Sequence, residues 1–169
     1  MAVIVSDTTP LNYLVLIEAI DLLPRLYGRV LIPPAVWGEL AQPGTPEPVL
    51  KWLAQGPSWL EVTNPMLSSD PTLSHLDVGE AQAIDLAMER RADLLLLDER
   101  DGVAAARARG LTVTGTLGVL DRAASLGVVD LPTMFARLGR TTFHSPVRLM
   151  ATMLEQDAIR RRSQRQVQP

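Results

Sequence analysis

The chain has 169 residues, of which 47% are hydrophobic and 21% charged, and its formal net charge is −3. Such a length suits one domain with an appended helix, and the balance excludes disorder over most of the chain. With no cysteine and two histidines, disulfides, thiolate zinc sites and cysteine nucleophiles are excluded, and a histidine-rich zinc site has too few ligands.

The elements alternate. Val3-Ile4-Val5 is short and β-branched, as a buried parallel strand should be. Pro10 opens a helix with Leu11, Leu14, Val15 and Ile17 on its apolar face. Residues 29–32 read as a second strand. Pro33-Pro34 ends it and starts a helix to Leu40, closed by Gln42-Pro43-Gly44. Residues 47–54 are helical, 59–62 alternate like a strand, and 63–74 form a polar, Pro-containing loop. The clearest helix spans 77–91, with Val78, Ala81, Ile84, Ala87 and Met88 on helical spacing. Leu94 to Leu97 is an unbroken leucine run and predicts a central, covered strand. Residues 102–109 are helical and Gly110 caps them; 111–114 make a short strand. Helices follow over 115–126, 131–138 and 146–162, and the basic tail Arg160-Arg161-Arg162-Ser163-Gln164-Arg165 is expected to fray. Alternation of this kind means βαβ units: a three-layer α/β/α fold with a central parallel sheet.

Function classes narrow further. A net charge of −3 exerts no global pull on nucleic acid. Lys51 is the only lysine, so the cations are arginines, the better phosphate forks. Three Trp, two Tyr and two Phe are too few for base stacking across an exposed sheet. The start meets Asp7 before any signal-like apolar run, and no stretch is long enough to span a bilayer, so the expected location is cytoplasmic.

In a parallel sheet, ligands bind beyond the carboxyl ends of the strands. Asp7 and Asp98 each follow a strand directly. If those strands are neighbours, two carboxylates face one crevice, an arrangement that calls for a cation. Oxygen ligands without His or Cys favour a hard ion, Mg²⁺ or Mn²⁺. Glu39 lies near a helix C-terminus, where the macrodipole disfavours negative charge, and Glu80 lies in a first turn. Each acid has a plainer reading too. Asp77 and Glu80 have capping-box spacing, Asp98 and Asp101 are first-turn acids, Asp7 is placed to cap a helix, and Glu39 is placed to be solvated. Arg100, Arg107 and Arg109 read either as a solvated helix face or as neighbours of the crevice.

These segments resemble a known family. Val3 to Leu11, with Asp7 inside it, resembles the first motif of PIN domains; Ile32 to Leu40, with Glu39, resembles their second. Leu76 to Ile84, with Gly79-Glu80-Ala81, is similar to the third, and Leu95 to Arg100, with Asp98, to the fourth. Gly110-Leu111 with Gly115 to Leu120 resembles a VapC-like branch of predicted nucleic-acid-binding proteins. The resemblance implies a sheet of order 3-2-1-4-5, a Mg²⁺- or Mn²⁺-dependent endoribonuclease, and catalytic acids at Asp7, Glu39, Glu80 and Asp98. Asp7, Glu80 and Asp98 would be the metal ligands, with Thr9 and, loosely, Asp101 in support and Arg100 and Arg107 on the RNA backbone. Glu80 stands where many relatives carry Asp. The resemblance further implies a homodimer, and a toxin held by a small antitoxin. Residues 1–140 would be the nuclease domain and 141–169 a helical extension with the basic tail. The competing reading is a non-catalytic dimeric interaction module of the same fold, motivated by Leu149, Met150, Met153 and Leu154 on the last helix. A phosphotransferase using Asp7 as nucleophile fits poorly, since position 9 is Thr and Lys51 comes too early.

Overall fold

The computed structural model describes residues 1–66 and 70–167; positions 67–69 of the expected loop and the last two residues of the expected extension lie outside them. The chain divides into two units, residues 1–116 and the residues from 117 onward.

The first unit is built on five parallel strands in the order β3-β2-β1-β4-β5. They are β1 (Ile4–Ser6), β2 (Val30–Ile32), β3 (Leu60–Val62), β4 (Leu94–Leu96) and β5 (Val113–Thr114). Helices α1 (Thr8–Leu16), α2 (Leu22–Tyr27), α3 (Pro34–Leu40), α4 (Glu47–Ala54), α5 (Val78–Glu89) and α6 (Arg100–Ala108) make the crossovers, giving the expected α/β/α layering. The order reverses at β1, which lies between β2 and β4 with Val5 opposite Leu31 and Leu95. This puts the segments after β1 and β4 side by side at the switch point.

The three central strands are fully covered because their side chains are apolar on both faces. Val5, Val30, Ile32, Leu95 and Leu96 are all buried. Helix α5 packs Ala83, Ile84, Leu86 and Ala87 against Val5, Leu95, Leu97 and Ala106. Each large side chain buried there contributes roughly 1.5–3 kcal/mol, so the start of α5 is firmly placed. Two members of its expected apolar face, Val78 and Met88, are exposed instead. The helix is covered on more than one side, by the sheet, α3 and α6, and Gly79 and Ala83 take positions a single-stripe reading assigns to solvent.

Helix α2 is missed by the sequence reading because Leu-Leu-Pro-Arg-Leu-Tyr carries an internal proline. Pro24 sits in the first turn, where its missing N–H removes no bond, and Gly28 at φ 76° ends the helix. Within the expected loop, Pro71–Leu73 forms a 3₁₀ turn capped by Asp70. Arg109 donates to Asp70 at 3.0 Å and to the carbonyl of Ala105 at 2.9 Å, so it is not a free cation. The Thr72 hydroxyl and N–H, then Arg109, pull the Asp70 carboxyl down to about 2.

The second unit holds most of α7 (Thr116–Ser125), then α8 (Leu131–Leu138) and α9 (Val147–Val167). The tail does not fray: α9 runs through it to Val167. Asp157, only 2% exposed, accepts from Arg160 at 3.2 Å and Arg161 at 2.8 Å. Arg160 also reaches Asp121 at 2.6 Å, and Arg161 reaches Asp130 at 2.9 Å. Ion pairs therefore engage two of the tail's arginines inside this unit. Asp157→Ala removes the buried partner of two cations and is expected to cost about 2–3 kcal/mol, the low side for a buried pair because both arginines stay part-solvated. Thermal unfolding should show a Tm lower by roughly 4–12 °C; an unchanged Tm would mean that the network is ornamental.

Candidate metal centre

Asp7 leaves β1 and enters α1. Its backbone N–H still bonds Leu96 at 2.9 Å, which locks it to the β4 side of the sheet end. It occupies the cap position of α1, yet its side chain makes no capping bond. The residue is 2% exposed and its Oδ1 has no hydrogen-bond partner. Burial, reinforced by the negative charges of Asp77, Glu80 and Glu39 and opposed by the Thr8 N–H, pushes its carboxyl up to about 8.

Glu39 approaches from the last turn of α3. Its two oxygens are held from opposite sides: the Thr8 hydroxyl donates to Oε2, and the Gly79 N–H donates to Oε1 at 3.1 Å. The Gly79 amide belongs to the first turn of α5, where N–H groups lack helical partners. An anion poorly placed at the end of its own helix is thus well placed at the start of another. Position 79 has to be glycine for this approach, since a Cβ would fall 2.4 Å from Glu39 Oε1.

Asp77 and Glu80 form a full capping box at the start of α5. The Glu80 N–H donates to Asp77 Oδ1 at 2.8 Å, and the Asp77 N–H donates to Glu80 Oε2 at 3.3 Å. Capping and site-building are not alternatives here. Asp77, exposed, offers a carboxylate oxygen to a group with Asp7 and Glu39 in which the oxygens all lie within 4.8 Å of one another. Were all three ionised, charges that close would repel by roughly 3 kcal/mol per pair at an effective dielectric of about 20, and Asp7 instead keeps its proton into the neutral range. Glu80 borders this group. Its Oε1 is buried without a partner and lies 3.3 Å from where a Cβ on Gly102 would sit. Burial and the Asp77 charge push its carboxyl up to about 7.

Asp98 follows β4 but is engaged elsewhere. Its Oδ1 accepts from the Thr116 N–H at 2.8 Å and its Oδ2 from the Thr116 hydroxyl at 2.6 Å. Gly115 makes room for it, as a Cβ there would lie 2.4 Å from Oδ1. Burial raises the Asp98 carboxyl, and the two Thr116 bonds work against that rise. Thr9 lies half-buried in the first turn of α1, and the hydroxyl that reaches the acids is that of Thr8. Asp101, Arg100 and Arg107 are exposed on α6.

The sequence reading assigns Asp77 to capping alone and passes over Thr8. The signal for Asp77 lies in the Asp-x-x-Glu spacing, which puts two acids at one helix start. Nothing local to the sequence marks Thr8 apart from its place beside Asp7.

The donor set is made of carboxylate oxygens. Two buried oxygens, Asp7 Oδ1 and Glu80 Oε1, await a partner, and the uncompensated charge is held in place by a rigid helix start. Such a set fits a hard divalent cation. Fold and site together define a parallel α/β/α protein with a cluster of carboxylates, able to hold a metal ion, at its topological switch point. The chain belongs to the PIN-domain family, whose model matches residues 3–158. PIN domains are generally nucleases that use divalent metals. No curated protein and no solved structure matches the chain. Among the described residues, no helix is long and apolar enough to cross a membrane.

Proposed function

We propose that this protein is a Mg²⁺- or Mn²⁺-dependent endoribonuclease. The observation that carries the reading is the convergence of Asp7, Glu39 and Asp77, with Asp7 Oδ1 buried and unpartnered. Asp7, Glu39 and Asp77 would hold the cation, with Glu80 completing the acidic wall through Oε1. Asp98 adds negative charge at the end of the neighbouring strand while it accepts from Thr116. When bound, a divalent ion supplies a Lewis acid for the phosphate and a water acidified toward neutral pH. Held by these carboxylates, such an ion would support in-line hydrolysis leaving 5′-phosphate and 3′-hydroxyl ends. Thr9 and Asp101 would support the site from the first turns of α1 and α6. Arg100 and Arg107, exposed on α6, would grip the RNA backbone without reading bases.

The reading extends to a VapC-like toxin that acts as a homodimer in the cytoplasm and is restrained by a small antitoxin. The test is cleavage of mixed RNAs by purified protein with Mn²⁺, with Mg²⁺ and with EDTA. Metal-dependent fragments carrying 5′-phosphates are expected. Intact RNA, together with no calorimetric Mn²⁺ binding, would sink the proposal and favour the interaction module.

A further inference from the structure

We propose that Thr8 is a positioning residue for the metal centre, acting by holding the Glu39 carboxylate; this rests on the nuclease reading above. Thr8 is the first residue of α1, and the helix needs nothing from its hydroxyl: that hydroxyl points across to α3 and donates to Glu39 Oε2. The other oxygen, Oε1, is held by the Gly79 N–H of α5. A glutamate has three side-chain torsions, and at the end of a short helix it would sample many positions. The two donors come from different elements and reduce that freedom to one placement, with lone pairs left over on both oxygens.

Placement matters because Glu39 is one of three carboxylates whose oxygens must stay within a few ångströms of each other, and the other two are already fixed. Asp7 is pinned by its backbone bond to Leu96, and Asp77 by the capping box. Of the three, Glu39 is the one held in part by a side-chain hydroxyl, so Thr8 is the replaceable half of its clamp. Its adjacency to Asp7 also joins ligand and support in one dipeptide: a shift of the β1–α1 junction carries both together. The plainer alternative is that Thr8 and Glu39 merely tie α1 to α3. That role predicts a loss of stability and nothing else.

The experiment compares wild type, Thr8→Val and Thr8→Ser by Mn²⁺ calorimetry, by RNA cleavage across a Mn²⁺ series, and by thermal unfolding in EDTA. Val keeps the shape and removes the donor; Ser keeps the donor. Thr8→Val should weaken Mn²⁺ binding and raise the Mn²⁺ concentration for half-maximal cleavage by roughly 10–100-fold. Thr8→Ser should restore both to within about threefold, the donor being what counts. Equal Mn²⁺ affinity in wild type and Thr8→Val, with a lower Tm only, overturns the positioning role and leaves the nuclease reading standing. A wild type that neither binds Mn²⁺ nor cleaves RNA removes the nuclease reading itself.

Discussion

Asp7→Asn is expected to abolish metal-dependent cleavage and, at the same time, to raise the melting temperature of the metal-free protein. Asp7 contributes the most buried carboxylate of the cluster and one of its two unpartnered oxygens. Asparagine keeps the shape but gives up the charge a divalent ion requires, so cleavage should fall by at least about 100-fold. The gain in stability follows from linkage. In the folded protein the Asp7 carboxyl titrates at about 8, against an ordinary value of 3.8. Between those values the folded chain keeps a proton that the unfolded chain releases. Stability is therefore highest at the acidic end of this window and is lost as pH rises through it, by at most ~1.4 kcal/mol per pH unit for one group. Glu80, raised to about 7, adds a slope of the same sign.

Thermal unfolding in EDTA from pH 5 to pH 8.5 should show a falling Tm for wild type and a flatter profile for Asp7→Asn, with the variant more stable by roughly 1–3 kcal/mol at the alkaline end. Mn²⁺ should remove most of the difference in wild type at pH 8.5, where the proton competes least with the cation, and less of it at pH 6. A wild-type Tm that rises with pH in EDTA would show that the pocket is not strained by its own charge.

Gly79→Ala is expected to disable the site through a single methyl group. The added Cβ would sit 2.4 Å from Glu39 Oε1 and 2.6 Å from Oε2. One side must move, and the flexible one is the glutamate. Its bond to the Gly79 N–H is then lost, and the carboxylate swings away from Asp7 and Asp77. A displacement of about 1 Å at a reacting centre costs on the order of 100-fold in rate. The helix itself should tolerate alanine, since Gly79 does not use a left-handed conformation and alanine is the better helix former. Single-turnover cleavage with circular dichroism separates the two effects: helix content retained and cleavage lost. Cleavage within a factor of two of wild type would show that the Glu39 clamp has no part in the chemistry.

Local patterns announced the framework. The β-branched Val3-Ile4-Val5 and the leucine run before Asp98 are apolar on both faces, and only a covered parallel strand accommodates that. The stop at Pro33-Pro34 and the unfavourable position of Glu39 at the end of α3 are equally visible in the linear chain. Asp7 and Glu39 follow from those cues, and the structure brings their side chains together. Asp77 did not follow, because a capping residue and a cluster carboxylate have the same sequence signature. Which way its free oxygen points depends on how α3 lies against α5. Asp98 is marked in the sequence by its place after the leucine strand, but its engagement with Thr116 is not: that needs β5 beside β4 and a glycine at position 115. Of the acidic partners of Arg160 and Arg161, Asp157 is close by on the same helix, but Asp121 and Asp130 are 39 and 31 residues away, so the full network is not visible in the linear chain.

The sequence by itself determined the layers of this protein, the order in which strand and helix alternate, and a set of acids at element ends without thiol or imidazole competitors. It did so because burial is written as a local repeat of apolar side chains. The tertiary structure alone decided which carboxylates come together, that the Thr8 hydroxyl donates to one of them, and that Arg160 and Arg161 reach Asp121 and Asp130. Those outcomes depend on distances between residues far apart in the chain. Such distances are fixed only once the sheet register and the packing of α3 on α5 are in place.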